Sequence, residues 1–125
     1  MTKNAVIQKF FESFDLDAFP SISVPTSGDE KPQFPYLTYS VNTDCEVARV
    51  SGTASLWYRS ESWTALNAKV DEISQLIGSG ITLDCDEGGI IVRKGNPWAQ
   101  PLGDDSDNMI KRKILSFEFL FATTY

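Results

Sequence analysis

The sequence predicts an α+β domain, an antiparallel or mixed β-sheet with two helices packed on one face. Two segments, near 4–14 and 63–77, repeat apolar residues at helical spacing. Several others alternate apolar and polar residues with a period of two, as strands with one buried face do. Glycine with acidic residues at 86–89 supplies a tight turn, which favours antiparallel neighbours. At 125 residues the chain is expected to form one domain over 1–125 and to bury a substantial core.

"NAVIQKFFESF" opens the chain with Ile7, Phe10, Phe11 and Phe14 on one helical stripe. Thr2 or Asn4 is its expected cap, offering a side-chain oxygen to a free backbone N–H. Residues 16–35 then carry Pro20, Pro25, Pro32 and Pro35. Proline removes a donor and resists helix interiors, so this stretch reads as an extended, proline-rich arm with a mobile tip at 26–31. Its length marks it as a candidate contact arm.

"YLTYSV" puts Leu37, Tyr39 and Val41 on one strand face. "EVAR" extends that strand or begins the next. "TASLWYRS" sets Ala54, Leu56 and Tyr58 against Ser55, Trp57 and Arg59. The second helix follows, with Trp63, Leu66, Val70, Ile73 and Ile77 as its core stripe. Ser60 or Ser62 is the expected cap, and Gly78 and Gly80 stop the helix. "ITLDC" and "GIIVRK" make a hairpin through Asp86–Gly89. A polar loop over 95–109 leads to a last long strand with Leu115, Phe117, Phe119 and Phe121 on one face. A shift in its pattern near Lys113 and Ile114 predicts a bulge there.

The composition removes several chemistries. The chain has no histidine, and with it go the commonest general base, every Ser-His-Asp arrangement and any Cys/His zinc cage. Cys45 and Cys85 read as free thiols of a reducing compartment. No apolar run is long enough to span a membrane. The N-terminus lacks the apolar stretch of a signal peptide, so a cytoplasmic product is expected. The net charge of −6 argues against nonspecific nucleic-acid binding. Purified protein is accordingly expected not to retard duplex DNA at moderate salt.

Three local groups remain. Asp104, Asp105 and Asp107 supply oxygens suited to calcium but lack the spacing and terminal Glu of the usual loop, so an acidic loop is the better reading. Asp84, Asp86 and Glu87 are carboxylates at a hairpin tip, better explained by a turn than by acid–base or metal chemistry. Lys111, Arg112 and Lys113 form the one dense basic cluster, read as a solvated strand start. Trp57, Trp63 and Trp98 are candidate partner anchors; helix core suits Trp63 better. No catalytic, cofactor or metal residue is assigned.

"SLWYRSESW" and the helix after it, followed by "GGIIVRKGNPWAQPLGDDSDNMIKRKILSFEFLF", resemble the small tail proteins of long-tailed bacteriophages. More narrowly, they resemble the tail-terminator or tail-completion group, also labelled minor tail proteins. The resemblance rests on Leu56–Ser60 with Trp63, on Lys94-Gly95, Pro97-Trp98 and Gln100, on Asp104, Asp105 and Asp107, and on Ile110–Arg112, with Pro35–Tyr39 echoing an upstream family motif. It covers residues 35–121 and departs at Trp98, where Phe is commoner, and at Pro101.

The resemblance implies an α+β subunit of a virion ring, commonly a hexamer, that ends tail-tube growth and meets the head connector. Its implied partners are copies of itself, the tail tube protein and the head–tail connector protein, with no cofactor and no enzymatic activity. Residues expected at those contacts are Lys94, Trp98, Gln100, Asp104, Asp105, Asp107, Lys111 and Arg112, the acids of one copy facing Lys94, Lys111 or Arg112 of the next. The rival readings are a neck or head-completion connector, a carboxylate-metal hydrolase on Asp84, Asp86 and Glu87, and a small-ligand module with an apolar pocket lined by Trp57 and Tyr39.

Overall fold

The structure, a computed structural model, describes residues 2–23, 32–42, 49–86, 88–103 and 109–123. The first phenylalanine stripe forms helix α1 (Lys3–Glu12). The Thr2 hydroxyl caps it, accepting from the Ala5 N–H at 3.2 Å. Helix α2 spans Thr64–Ile77 and buries Leu66, Val70, Ile73 and Ile77. Trp63, at its cap position, makes no side-chain cap bond; the Ser62 hydroxyl accepts from the Thr64 N–H at 3.1 Å instead. Gly78 ends the helix at φ 54°, a region that favours glycine.

Six strands form one mixed sheet: β1 (Asp17–Pro20), β2 (Tyr36–Ser40), β3 (Arg49–Arg59), β4 (Ile81–Cys85), β5 (Gly88–Gly103) and β6 (Ile110–Thr123). Their spatial order is β1-β2-β3-β6-β5-β4. Only the β1–β2 pair is parallel. Helix α1 touches both edge strands, β1 and β4, because the sheet curls around it. Helix α2 lies against β5 and β6.

Both helices and one sheet face share a single core cluster. Phe11, Leu37, Leu56, Leu66, Leu115 and Phe119 are fully buried in it, each worth roughly 1.5–3 kcal/mol relative to exposure. Polar ties fix the helices. The Gln8 amide donates to the Ala18 carbonyl at 2.9 Å, joining α1 to β1. The Lys69 ammonium donates to the Phe14 carbonyl at 3.0 Å and pairs with Glu72 at 2.7 Å, joining α2 to the end of α1.

Three local expectations are corrected. The segment 16–35 is not simply an extended arm. Residues 17–20 pair with β2, Leu16 and Ala18 are buried, and Ser21–Ser23 form a 3₁₀ turn. Pro20 is tolerated because β1 is an edge strand. The tip at 26–31 lies outside the described residues.

The stretch 95–103 is not loop either. It continues β5, and only 104–109 separates β5 from β6. The bulge lies in β5, where the register shifts between Lys94 and Ala99, and not at Lys113 and Ile114 of β6. The register break leaves Pro97 without a ladder partner, so a proline persists inside a strand. Gly95 permits the close strand approach there: a Cβ on it would lie 2.9 Å from Ser116 Cβ and 3.1 Å from the Ser116 carbonyl.

Candidate subunit interface

Strand alternation gives the sheet two unlike faces. The fully buried apolar residues of β2, β3 and β6 point to the helices, and the intervening ones, Ile114 and Leu120 among them, form the opposite face, helix-free among the described residues. Across that face the register aligns Tyr36 with Trp57, Trp57 with Arg112, and Arg112 with Leu102. One row therefore crosses four neighbouring strands. Phe19 of β1 lies 6.4 Å from the Tyr36 ring and Phe34 lies 5.3 Å from it, extending the row to the sheet edge.

The row is held in place by its own contacts. The Tyr36 and Trp57 rings stack at 5.9 Å with 12° between planes. The Trp57 indole N–H donates to the Thr38 hydroxyl at 3.0 Å. The Arg112 guanidinium lies over the other side of Trp57, 4.4 Å from its centroid. Two guanidinium nitrogens donate to the Ser55 hydroxyl at 3.1 and 3.0 Å, which explains why Ser55 is buried on this face. Leu102 and Phe34, near the two ends of the row, remain 43% and 37% exposed. The arrangement offers rigid aromatic and arginine side chains with little rotamer freedom left to lose, which suits a protein contact.

Charge is sorted by strand and by face. Arg49, Arg59, Arg93, Lys94, Lys111, Arg112 and Lys113 all sit on β3, β5 and β6, where the only acid is Glu118. By alternation the four arginines take the helix-free face and the three lysines the helix side. Arg49 pairs with Glu118 at 3.2 Å. Arg112 has no carboxylate partner among the described residues.

The contact residues expected from sequence are thus divided. Arg112 and Gln100 belong to the helix-free face. Lys94 turns the other way and donates to the Ser74 hydroxyl of α2 at 2.9 Å. Lys111 lies 5.7 Å from the Trp63 centroid on the helix side. The Lys111–Lys113 cluster is half-buried, not a solvated strand start. Asp104, Asp105 and Asp107 lie outside the described residues. Tyr36, Trp57 and Leu102 were missed as a group, since only strand register brings them together.

Trp98 packs edge-on against Phe117 at 5.2 Å, at the margin of the core. Its buried indole N–H has no hydrogen-bond partner among the described residues. Trp98→Phe keeps the ring contact and removes that unmet donor. We expect stability unchanged or raised by up to about 1 kcal/mol in urea melts; a loss of more than about 1 kcal/mol contradicts this.

Burial raises the pKa of Tyr36, with Arg112 pulling it back, and burial foremost raises those of Tyr39 and Tyr58. The folded chain therefore holds these phenolic protons more tightly than the unfolded chain does. Their contribution is complete below pH 10.0, the ordinary tyrosine value, and is lost as pH rises through the higher folded values. Melting temperature is expected to fall as pH climbs past 10.0, with no histidine to add a step near neutrality. Thermal melts in matched buffers check this; a flat profile there contradicts it.

Other candidate chemistries find little support. Trp57 and Tyr39 lie on opposite sheet faces, Tyr39 stacked on Phe11 at 4.5 Å, so they do not line a shared pocket. Asp84 and Asp86 are exposed and Glu87 lies outside the described residues; among those described, no group of three potential ligands is placed to hold a metal. A groove of about 640 Å³ opens between α1 and β4, with Val6, Phe10, Leu76 and Leu83 in its walls. Among the described residues, no helix is long and apolar enough to cross a membrane. No family model and no curated protein matches this sequence.

Proposed function

We propose that this chain is a structural subunit of a long-tailed phage particle, one of a ring of copies that caps the tail tube, ends its growth and joins tail to head. The observation that carries the reading is the ordered Tyr36–Trp57–Arg112–Leu102 row on a sheet face that no helix covers among the described residues. It offers the residue types that dominate protein contacts, and a half-buried arginine without a carboxylate partner among the described residues. The ordered resemblance of residues 35–121 to tail-terminator proteins supplies the biological setting. Lys94, Trp98 and Lys111 support the interface from behind, on the helix side, while Gln100 and Arg112 belong to the contact face itself. Asp104, Asp105 and Asp107 remain proposed acidic contacts of a neighbouring copy. The chain needs no cofactor for this work and performs no turnover.

The test is removal of the chain from phage production. Tails of abnormal length, or tails without heads, are expected. Particles of normal tail length joined to heads overturn the reading. Binding of purified chain to portal complexes, with none to tail tubes, would assign it to the neck instead.

A further inference from the structure

We infer that the helix-free sheet face receives the solvent face of α2 from a second copy of this chain. This rests on the assembly reading above and names the contact.

The receiving face carries Arg49, Arg59, Arg93 and Arg112, against Glu118 on its central strands. Arg112 lies at the middle of the row and makes no ion pair among the described residues. A guanidinium held flat on an indole, with donors to spare, fits a carboxylate brought by a partner. The solvent face of α2 has the opposite character. Asp71 and Glu72 lie on it, Glu72 is engaged by Lys69, and Asp71 makes no ion pair or hydrogen bond among the described residues.

The dimensions agree. Helix α2 has 14 residues, about 21 Å at 1.5 Å per residue. The row from Phe19 to Leu102 crosses five strands, roughly 19 Å at the usual strand spacing. The lengths therefore match, with Arg112 placed for Asp71. A nucleic acid is a poor occupant. The Trp57 faces are already taken by Tyr36 and Arg112, so no base can stack on them. The two surfaces differ, so each copy can both give and receive, as a head-to-tail ring requires.

The experiment is sedimentation of the full chain at rising concentration, up to millimolar, for wild type, Arg112→Glu, Asp71→Arg, Leu102→Glu and an equimolar mixture of the first two variants. Wild type is expected to self-associate. Each variant should weaken association by about tenfold or more, and the mixture should recover it through the swapped pair. Circular dichroism confirms folding. Asp71→Arg and Leu102→Glu alter exposed side chains and keep the test valid if Arg112→Glu unfolds.

Wild-type association unaffected by Asp71→Arg, or by both sheet-face variants, overturns the contact while leaving the ring reading intact. A mixture that fails to recover also overturns the contact. Association that stops at a dimer supports the contact and contradicts the ring. A wild-type chain that stays monomeric up to millimolar overturns the contact; the ring reading is then judged by tube capping alone.

Discussion

Phe11→Ala is expected to cost about 3–5 kcal/mol of folding stability. Phe11 is fully buried. Its ring stacks on Tyr39 at 4.5 Å and meets Phe10, Phe14, Phe117 and Phe119 at 5.1 to 6.4 Å. One side chain thus joins α1, β2 and β6. Truncation removes its transfer energy and leaves a cavity bounded by rings that are themselves anchored on three elements. Collapse into that space is restricted, which puts the cost toward the upper end. Domains of this kind have about 5–15 kcal/mol in total, so the variant should lose a large share of it. Urea denaturation with the midpoint and slope both fitted is the check. A loss under about 1 kcal/mol would mean that the helix α1 stripe is not central to the core.

Trp57→Ala is expected to weaken self-association by about 2 kcal/mol or more, roughly thirtyfold, while the chain stays folded. The residue is half-buried and lies outside the main core cluster. Its stacking on Tyr36, its bond to Thr38 and its contact with Arg112 make it the centre of the helix-free row. Removing it frees Tyr36 and Arg112 to move, so any ordering they had before contact must be supplied on binding. Sedimentation against wild type reads the effect, with circular dichroism as the folding check. Association unchanged in a folded Trp57→Ala protein would remove the row from the account.

The helices and the helix-facing sheet residues were legible in the sequence because their periodicity is local. Ile7, Phe10, Phe11 and Phe14 need only the 3.6-residue turn to share a face, and Leu115 to Phe121 need only strand alternation. Strand β1 escaped notice for the opposite reason. It is short, ends in Pro20, and exists through parallel pairing with β2, a non-local event. Prolines also hid the second half of β5, since reading Pro97 and Pro101 as loop signals ignores a bulge that accommodates one of them. The contact row was half legible. Trp57 and Arg112 occupy the polar phase of their strands, and a large aromatic on that phase was an available signal. Their adjacency was not readable, because it depends on the register that sets Trp57 beside Arg112 and Arg112 beside Leu102.

The assembly claim is tested most directly by imaging tail tubes polymerised from tube protein with and without the purified chain. The account predicts that growth stops early in its presence and that a ring of several copies sits at one tube end. Tubes of unchanged length with bare ends at both extremities would contradict it.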